Sequence, residues 1–488
     1  MLVELIATAG FTVVGYALLR IFDCRPASAF AVLGALPTGI AASGITASMI
    51  FALGLGFSLV LLAAIGLAVI AMFAVRAYRS GTGADDSRSI GLAVATALVS
   101  TAVLGWSLAP VLSFDSFRFV MLGRMLVQGQ IGFGGTDLTD YPVMMVHLQA
   151  LASAMGGSYL VYTPVAGGLL AVTAGMNHLL GKVDRRRTAL LIAVAAVAGA
   201  GIFLTSNFML RLQLSYLNSH VLFAGFLLLG VASSIRAEPG VTPAETRVGS
   251  LLLAAVAISR VEGLLVAALA LTAIAGSGTL KPRDLGRVGT IALVPPALWY
   301  GRLLLAGGSG SILTPTRTGA LLVLGALPLV VAATPRLSRL VPWLPLIALS
   351  SLTGAIVLLG LTDPESVGMS GAAMLGNMAT AGQWGVVWWL VLPLLVVLTV
   401  LGPSIRNDSA WALLTVGHLF LILLLGAVRE TPYRLGWGDS GNRMLIHVLP
   451  LGITYCILKL RAPTDVDTAG SNASVARPTS LTDPLRSE

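Results

Sequence analysis

Charge is what this sequence has least of. Asp, Glu, Lys and Arg make up 10% of its 488 residues, against about 25% in a soluble globular chain. So few charges cannot cover a water-facing surface of this size. Cysteine is nearly absent as well. Cys24 and Cys456 lie at opposite ends of the chain, which excludes a disulfide framework and a cysteine-based metal centre. No histidine has a second histidine four residues on, so metal-ligand spacing is missing too. Short alternating segments of the β-barrel kind are missing, and no internal repeat is visible.

What fills the space is apolar sequence, 56% of the residues. Runs of membrane length recur throughout, among them Ile90–Leu108, Ala189–Leu204, Trp384–Leu401 and Ala410–Leu425. Each spans a hydrocarbon core of roughly 30 Å as a helix, and backbone in lipid must satisfy its own hydrogen bonds. The expected fold is therefore all-α: a polytopic integral membrane protein with about 13–15 transmembrane helices. Segments 248–259 and 263–276 are short enough to be either two spans or one kinked span. Leu2–Leu19 lacks a basic n-region and reads as a retained helix rather than a signal peptide.

Loop charge sets an expected orientation. One set of loops carries Arg76, Arg79 and Arg88, then Lys182 and Arg185–Arg187, then Lys281, Arg283 and Arg287, then Arg336 and Arg339, and finally Lys459 and Arg461. Basic loops stay in the cytoplasm. This places 21 of the 30 Lys and Arg inside. The 9 outside are all arginine and share their side with 9 acids, a pattern that suits a polar site better than topology anchoring. The net charge of +9 then reflects membrane anchoring, with no nucleic-acid partner implied. Residues 461–488, rich in Ser, Thr, Asp and Pro, read as a disordered cytoplasmic tail.

The long outer loop 110–158 carries the most information. Asp115–Gln128 has apolar residues at Phe117, Val120, Met121, Met125 and Leu126, a spacing that predicts an amphipathic helix in the interface. A Gly-rich turn, 129–135, leads to Asp137 and Asp140, and Val143–Met155 predicts a second interfacial helix bearing His147. Asp115 has two compatible readings. It can cap the helix it begins, or act as a general base at the membrane surface. Asp137 and Asp140 suit a turn after a glycine run, with a catalytic or metal role as the alternative. Arg260 has Glu262 beside it, either a structural ion pair or a phosphate contact.

The motifs of this loop and of later segments resemble the GT-C membrane glycosyltransferases, which include the dolichyl-phosphate-mannose protein mannosyltransferases and the bacterial aminoarabinose and arabinofuranosyl transferases. The residues carrying the resemblance are Phe114-Asp115-Ser116-Phe117-Arg118, Leu122 to Gly129, and Asp140-Tyr141-Pro142. Ser215 to His220, Ser259-Arg260-Val261-Glu262-Gly263, and Ser440 to Pro450 add to it. It covers roughly residues 90–460, with 1–89 as additional N-terminal spans. The first loop holds a single acid where many relatives have adjacent acids, and no large C-terminal extracellular domain follows.

The resemblance implies transfer of a sugar from a polyprenyl-phosphate donor to a hydroxyl on a glycan, lipid or protein, on the extracytoplasmic face of the cell membrane. Inversion at the anomeric carbon is expected. Asp115 would be the base. Arg260, Arg434 and Arg443 would bind the donor phosphate, since a guanidinium is always charged and contacts phosphate bidentately. Asp137, Asp140, His147, His220, Glu262, Asn442 and His447 would contact substrate. No cofactor is needed, although the loop acids leave a divalent metal possible. A multi-pass transporter or lipid flippase is the alternative, and a non-catalytic envelope scaffold a third.

Overall fold

A computed structural model describes residues 1–25, 28–131, 143–180, 207–235, 243–305, 314–429 and 431–461. Asp137, Asp140, the expected span 188–206 and the tail lie outside these residues. The described residues fold as helices, with one isolated backbone bridge and no sheet. Nine of the helices are long and apolar enough to cross a membrane, and shorter apolar ones accompany them. The protein is thus a multi-pass, all-helical membrane protein.

The first four helices are α1 (Leu2–Ile21), α2 (Ala29–Ala52), α3 (Leu59–Ser80) and α4 (Gly83–Ser107). Sequence-local chemistry sets their ends. Ser28 and Ser58 accept the amides of Ala31 and Leu61, and Gly81 ends α3 in the left-handed region at φ 68°. Two shorter helices follow, α5 (Phe114–Val127) and α6 (Val143–Ala154), at close to the expected bounds, although α6 is buried on every side from Met144 to Ala150 rather than laid along a surface. They pack on each other. A Cβ at Gly123 of α5 would come within 2.7 Å of the Ala150 backbone nitrogen, so only glycine permits this approach.

The core is built from α7 (Tyr162–Leu180), α8 (Phe208–Ser215), α9 (His220–Ala232), α10 (Pro243–Ser259) and α11 (Gly263–Gly276). Every residue of α9 is buried, with α7, α10 and α18 (Ser440–Arg461) among the helices packed on it. Its contact with α7 is made through glycine: a Cβ on Gly225 would lie 2.3 Å from the Gly168 carbonyl oxygen. Small residues let helices approach where lipid supplies no hydrophobic drive between them. The ambiguous segment 248–276 is two helices, α10 and α11, joined by a tight turn at 260–262.

The remaining helices are α12 (Pro282–Leu305), α13 (Pro315–Ala333), α14 (Leu344–Thr362), α15 (Pro364–Gly376), α16 (Val387–Leu401) and α17 (Asp408–Ala427). Single π-helical turns interrupt this region at Asn377–Ala381 and Leu413–Gly417. The surface of α3, α14 and α16 is largely exposed and apolar, as suits lipid-facing spans.

The first two helices, set apart from the core on sequence grounds, pack directly on it. α2 contacts α6, α7, α10 and α12. From α1, the Glu4 carboxylate accepts the amides of Val161, Tyr162 and Thr163 at 2.5, 3.1 and 2.9 Å. It therefore caps the start of α7, where an anion also suits the helix dipole.

Polar contacts tie the helix ends into two rims. One rim joins Lys459 to Asp408 at 2.6 Å, Arg20 to Asp86 at 2.6 Å and Arg461 to the Leu180 carbonyl at 3.0 Å. α10 and α12 start there, so Arg247, Lys281, Arg283 and Arg287 fall on it. The opposite rim holds Glu4, Asp115, Tyr216, the 260–262 turn and the start of α18.

Candidate functional site

Asp115 lies in the first turn of α5, and its expected capping bond is not formed. The N-cap position is Ser113, whose side chain makes no capping bond. The carboxylate turns instead to residues far along the chain. Its Oδ2 accepts from Arg443 Nη1 at 2.9 Å and from the Tyr216 hydroxyl at 3.3 Å. Arg443 Nη1 also donates to the Tyr216 oxygen at 3.0 Å, and its guanidinium lies over the Tyr216 ring, 5.8 Å from the centroid. Ser113 hydrogen-bonds the same phenol.

Backbone pairing delivers these groups. Val111 donates to the Ser215 carbonyl at 2.8 Å and accepts from Leu217 at 3.4 Å. The Ser116 hydroxyl donates to the Leu217 carbonyl at 3.0 Å. The entry to α5 is thereby stitched to the strand-like stretch before α9. Burial raises the Tyr216 phenol above its ordinary value of 10, with Arg443 opposing. The hydroxyl thus stays protonated at neutral pH and remains a donor.

Arg443 projects from the first turn of α18 into a pocket of about 510 Å³ that Arg429, Arg434, Asp439 and Ser440 also line. A cation in a first helical turn opposes the dipole, and Asp115 and Asp439 offset that mismatch. Asp439 accepts the amides of Gly441 at 2.7 Å and Asn442 at 3.3 Å. The start of α18 is therefore capped internally, and the guanidiniums are left as the anion-binding groups. Arg443 Nε is buried with no hydrogen-bond partner among the described residues. Arg429 bonds Ser440 and stacks on Tyr433 at 5.7 Å. The segment 434–436 is held by Asn377, whose side chain donates to the Arg434 carbonyl at 3.0 Å and accepts from Gly436 at 2.7 Å.

Arg260 is an ion pair and more. Its Nε donates to Glu262, and its Nη1 lies 3.2 Å from both the Ser219 hydroxyl and His220 Nε2. His220 Nδ1 lies 2.9 Å from His447 Nε2. His447 is one turn beyond Arg443 on α18, so the two groups adjoin.

Asn442 and His147 have other surroundings. Asn442 accepts from the Trp384 indole at 2.5 Å and donates to the Gly382 carbonyl at 3.2 Å. Its amide is spent on anchoring the π-helical turn and is buried. His147 is buried beside Ser48, with Phe51, Phe57 and Trp299 around its ring. Trp384 and Trp388 are buried rather than displayed at an interface, whereas Trp389 is exposed.

Two residues of the site, Tyr216 and Arg429, were not singled out by their local sequence. Tyr216 stands in the 215–220 motif, and Arg429 belongs to the arginine-only set of its rim. Comparison with known proteins adds nothing to this geometry: no family model, curated protein or solved structure matches the chain.

Proposed function

We propose that this protein is a membrane glycosyltransferase of the GT-C kind, moving a sugar from a polyprenyl-phosphate donor to a hydroxyl acceptor on the extracytoplasmic face. One observation carries the reading: Asp115 is held by Arg443 at 2.9 Å beside a pocket lined by two further arginines. A carboxylate and an anion-binding pocket sharing one guanidinium suit the two ends of a displacement at an anomeric carbon.

In this scheme the donor phosphate enters among Arg429, Arg434 and Arg443. Drawing Arg443 toward the phosphate loosens its hold on Asp115 and frees the carboxylate to face the acceptor hydroxyl. Asp115 takes the acceptor hydroxyl proton as that oxygen forms its bond to the sugar C1. The C1–O bond to phosphate breaks, and its electron pair leaves on the phosphate oxygen, where the guanidiniums stabilise the charge. Attack opposite the leaving group inverts the anomeric centre. Tyr216 is a positioning residue that spans Asp115 and Arg443. Guanidiniums neutralise the leaving-group charge, so the scheme does not require a divalent metal. The basic rim is the cytoplasmic one in this reading.

The test is turnover by the purified chain of a panel of short-chain polyprenyl-phosphate hexoses and pentoses, with donor loss and free polyprenyl phosphate followed by mass spectrometry. Turnover of none of them, with a hydroxyl acceptor or with water, would sink the reading. A second reading, a proton-coupled transporter, is favoured by His220, His418 and His447, all buried within apolar helices. Ionisable groups inside a membrane mark transport paths as well as catalytic sites. Substrate uptake into proteoliposomes without donor turnover would favour it.

A further inference from the structure

The chain of contacts from Glu262 to His447 has a direction that chemistry dictates. A guanidinium has donors only. Arg260 Nη1, 3.2 Å from His220 Nε2, therefore requires that nitrogen to be a lone pair. The single proton of His220 sits on Nδ1 and is donated to His447 Nε2 at 2.9 Å. His447 then carries its own proton on Nδ1, which is buried with no hydrogen-bond partner among the described residues. Both imidazoles are neutral in this arrangement, and both are at most 1% exposed.

The surroundings of the pair explain why it holds no charge here. Arg260 and Glu262 face it from the turn between α10 and α11, and Ser219 from the start of α9. Arg443 stands one turn before His447 on α18. The neighbouring rings are Phe223, 4.3 Å from the His447 ring, and His418 of α17, 6.1 Å from it. Two fixed cations thus adjoin the pair, and the nearby acid Glu262 is already engaged by Arg260. A buried charge needs a counter-charge, and none is free among the described residues. An anion bound at Arg443 would supply one. An anion that also draws Arg260 away would expose the His220 Nε2 lone pair and release Glu262 to face an imidazolium.

We propose that binding of the anionic phosphate donor is coupled to uptake of one proton, from the aqueous phase, by the His220–His447 pair. The inference rests on the phosphate site proposed above and deepens it. Donor binding then leaves the site nearly unchanged in net charge, and the donor binds more tightly as pH falls. For uptake of a full proton the affinity changes about tenfold per pH unit across the window where the pair titrates.

The experiment is isothermal titration calorimetry of the full chain in detergent micelles at about pH 6.5, the ordinary histidine range. The probe is a short-chain prenyl methyl phosphate diester, whose single charge does not titrate near neutrality. Two buffers of different ionisation enthalpy report the protons exchanged. The parent is expected to take up about 0.5–1 proton per bound probe. His220→Gln and His447→Gln keep a hydrogen-bonding side chain and are expected to bind the probe with uptake below about 0.2. If one variant fails to fold, the other decides. Probe binding by the parent with no buffer dependence overturns the inference alone, as does uptake that persists in both variants. Absence of binding heat in either buffer removes the phosphate site itself, and this inference with it.

Discussion

Replacing Asp115 with Asn separates catalysis from structure at one atom. The carboxylate is 36% exposed and pairs with Arg443 at 2.9 Å. An ion pair that open to solvent contributes about 1 kcal/mol or less. Asn retains an oxygen in the same place, able to accept from Arg443 or Tyr216, and there is no capping bond at the start of α5 to lose. The variant should therefore melt within a few degrees of the parent. Loss of a general base costs about 10²–10⁴-fold in rate, which is about 2.7–5.4 kcal/mol on the barrier. The two effects thus differ several-fold in free energy, enough to be told apart in one preparation. The assay is donor turnover by mass spectrometry beside a thermal melt in detergent and a binding titration with polyprenyl phosphate. Turnover should fall at least a hundredfold with binding nearly unchanged. If Asp115→Asn keeps turnover within about threefold of the parent, far short of the loss of a base, Asp115 is a structural partner of Arg443. The base would then be sought at Glu262, Asp137 or Asp140.

Other expectations follow from the same contacts. Arg443→Ala and Arg429→Ala should each weaken polyprenyl phosphate binding by about 1.5–3 kcal/mol, the worth of a charged hydrogen bond; titrations matching the parent would place the phosphate elsewhere. Tyr216→Phe should lower turnover about tenfold through loss of the hydroxyl between Asp115 and Arg443, without moving the melting point by more than a few degrees; unchanged turnover would remove its positioning role. Glu4→Gln strips the charge from a carboxylate that accepts three backbone amides, and should cost about 2–4 kcal/mol of stability; an unaltered melt would show the cap to be dispensable. For orientation, Cys24 and Cys456 are replaced, and single cysteines are placed at Gln130 and Arg283, both exposed. A membrane-impermeant thiol reagent should label position 130 in intact cells and spare 283, and the reverse pattern would invert the topology.

Much of this architecture is legible because lipid imposes simple rules. Backbone in hydrocarbon must be helical, so apolar length alone predicts the spans. The two short helices 114–127 and 143–154 were legible from the polar, glycine-rich turns around them, but the one apolar face read for an interfacial helix holds only for the first: Met144–Ala150 is buried on every side. Local rules misjudged the first turn of α5. A carboxylate near a helix start reads as a cap, but Arg443 lies 328 residues further on and its guanidinium competes more strongly for the carboxylate than the backbone amides do. Likewise, Asn442 looks like a sugar-binding amide in sequence, yet the fold places Trp384 and Gly382 around it.

The sequence by itself determined that the chain crosses the membrane many times, that basic residues gather at one rim, and that an arginine-only set occupies the other. These follow from composition and periodicity, which act residue by residue. Only the tertiary structure decided which of those arginines share a pocket, that Tyr216 bridges Asp115 and Arg443, and that Arg260 reaches His447 through His220. The Tyr216 bridge and the His220–His447 contact depend on helix ends meeting across more than a hundred residues of chain. Close helix crossings such as Gly168 against Gly225 set that geometry, and they leave no periodic signal in the sequence.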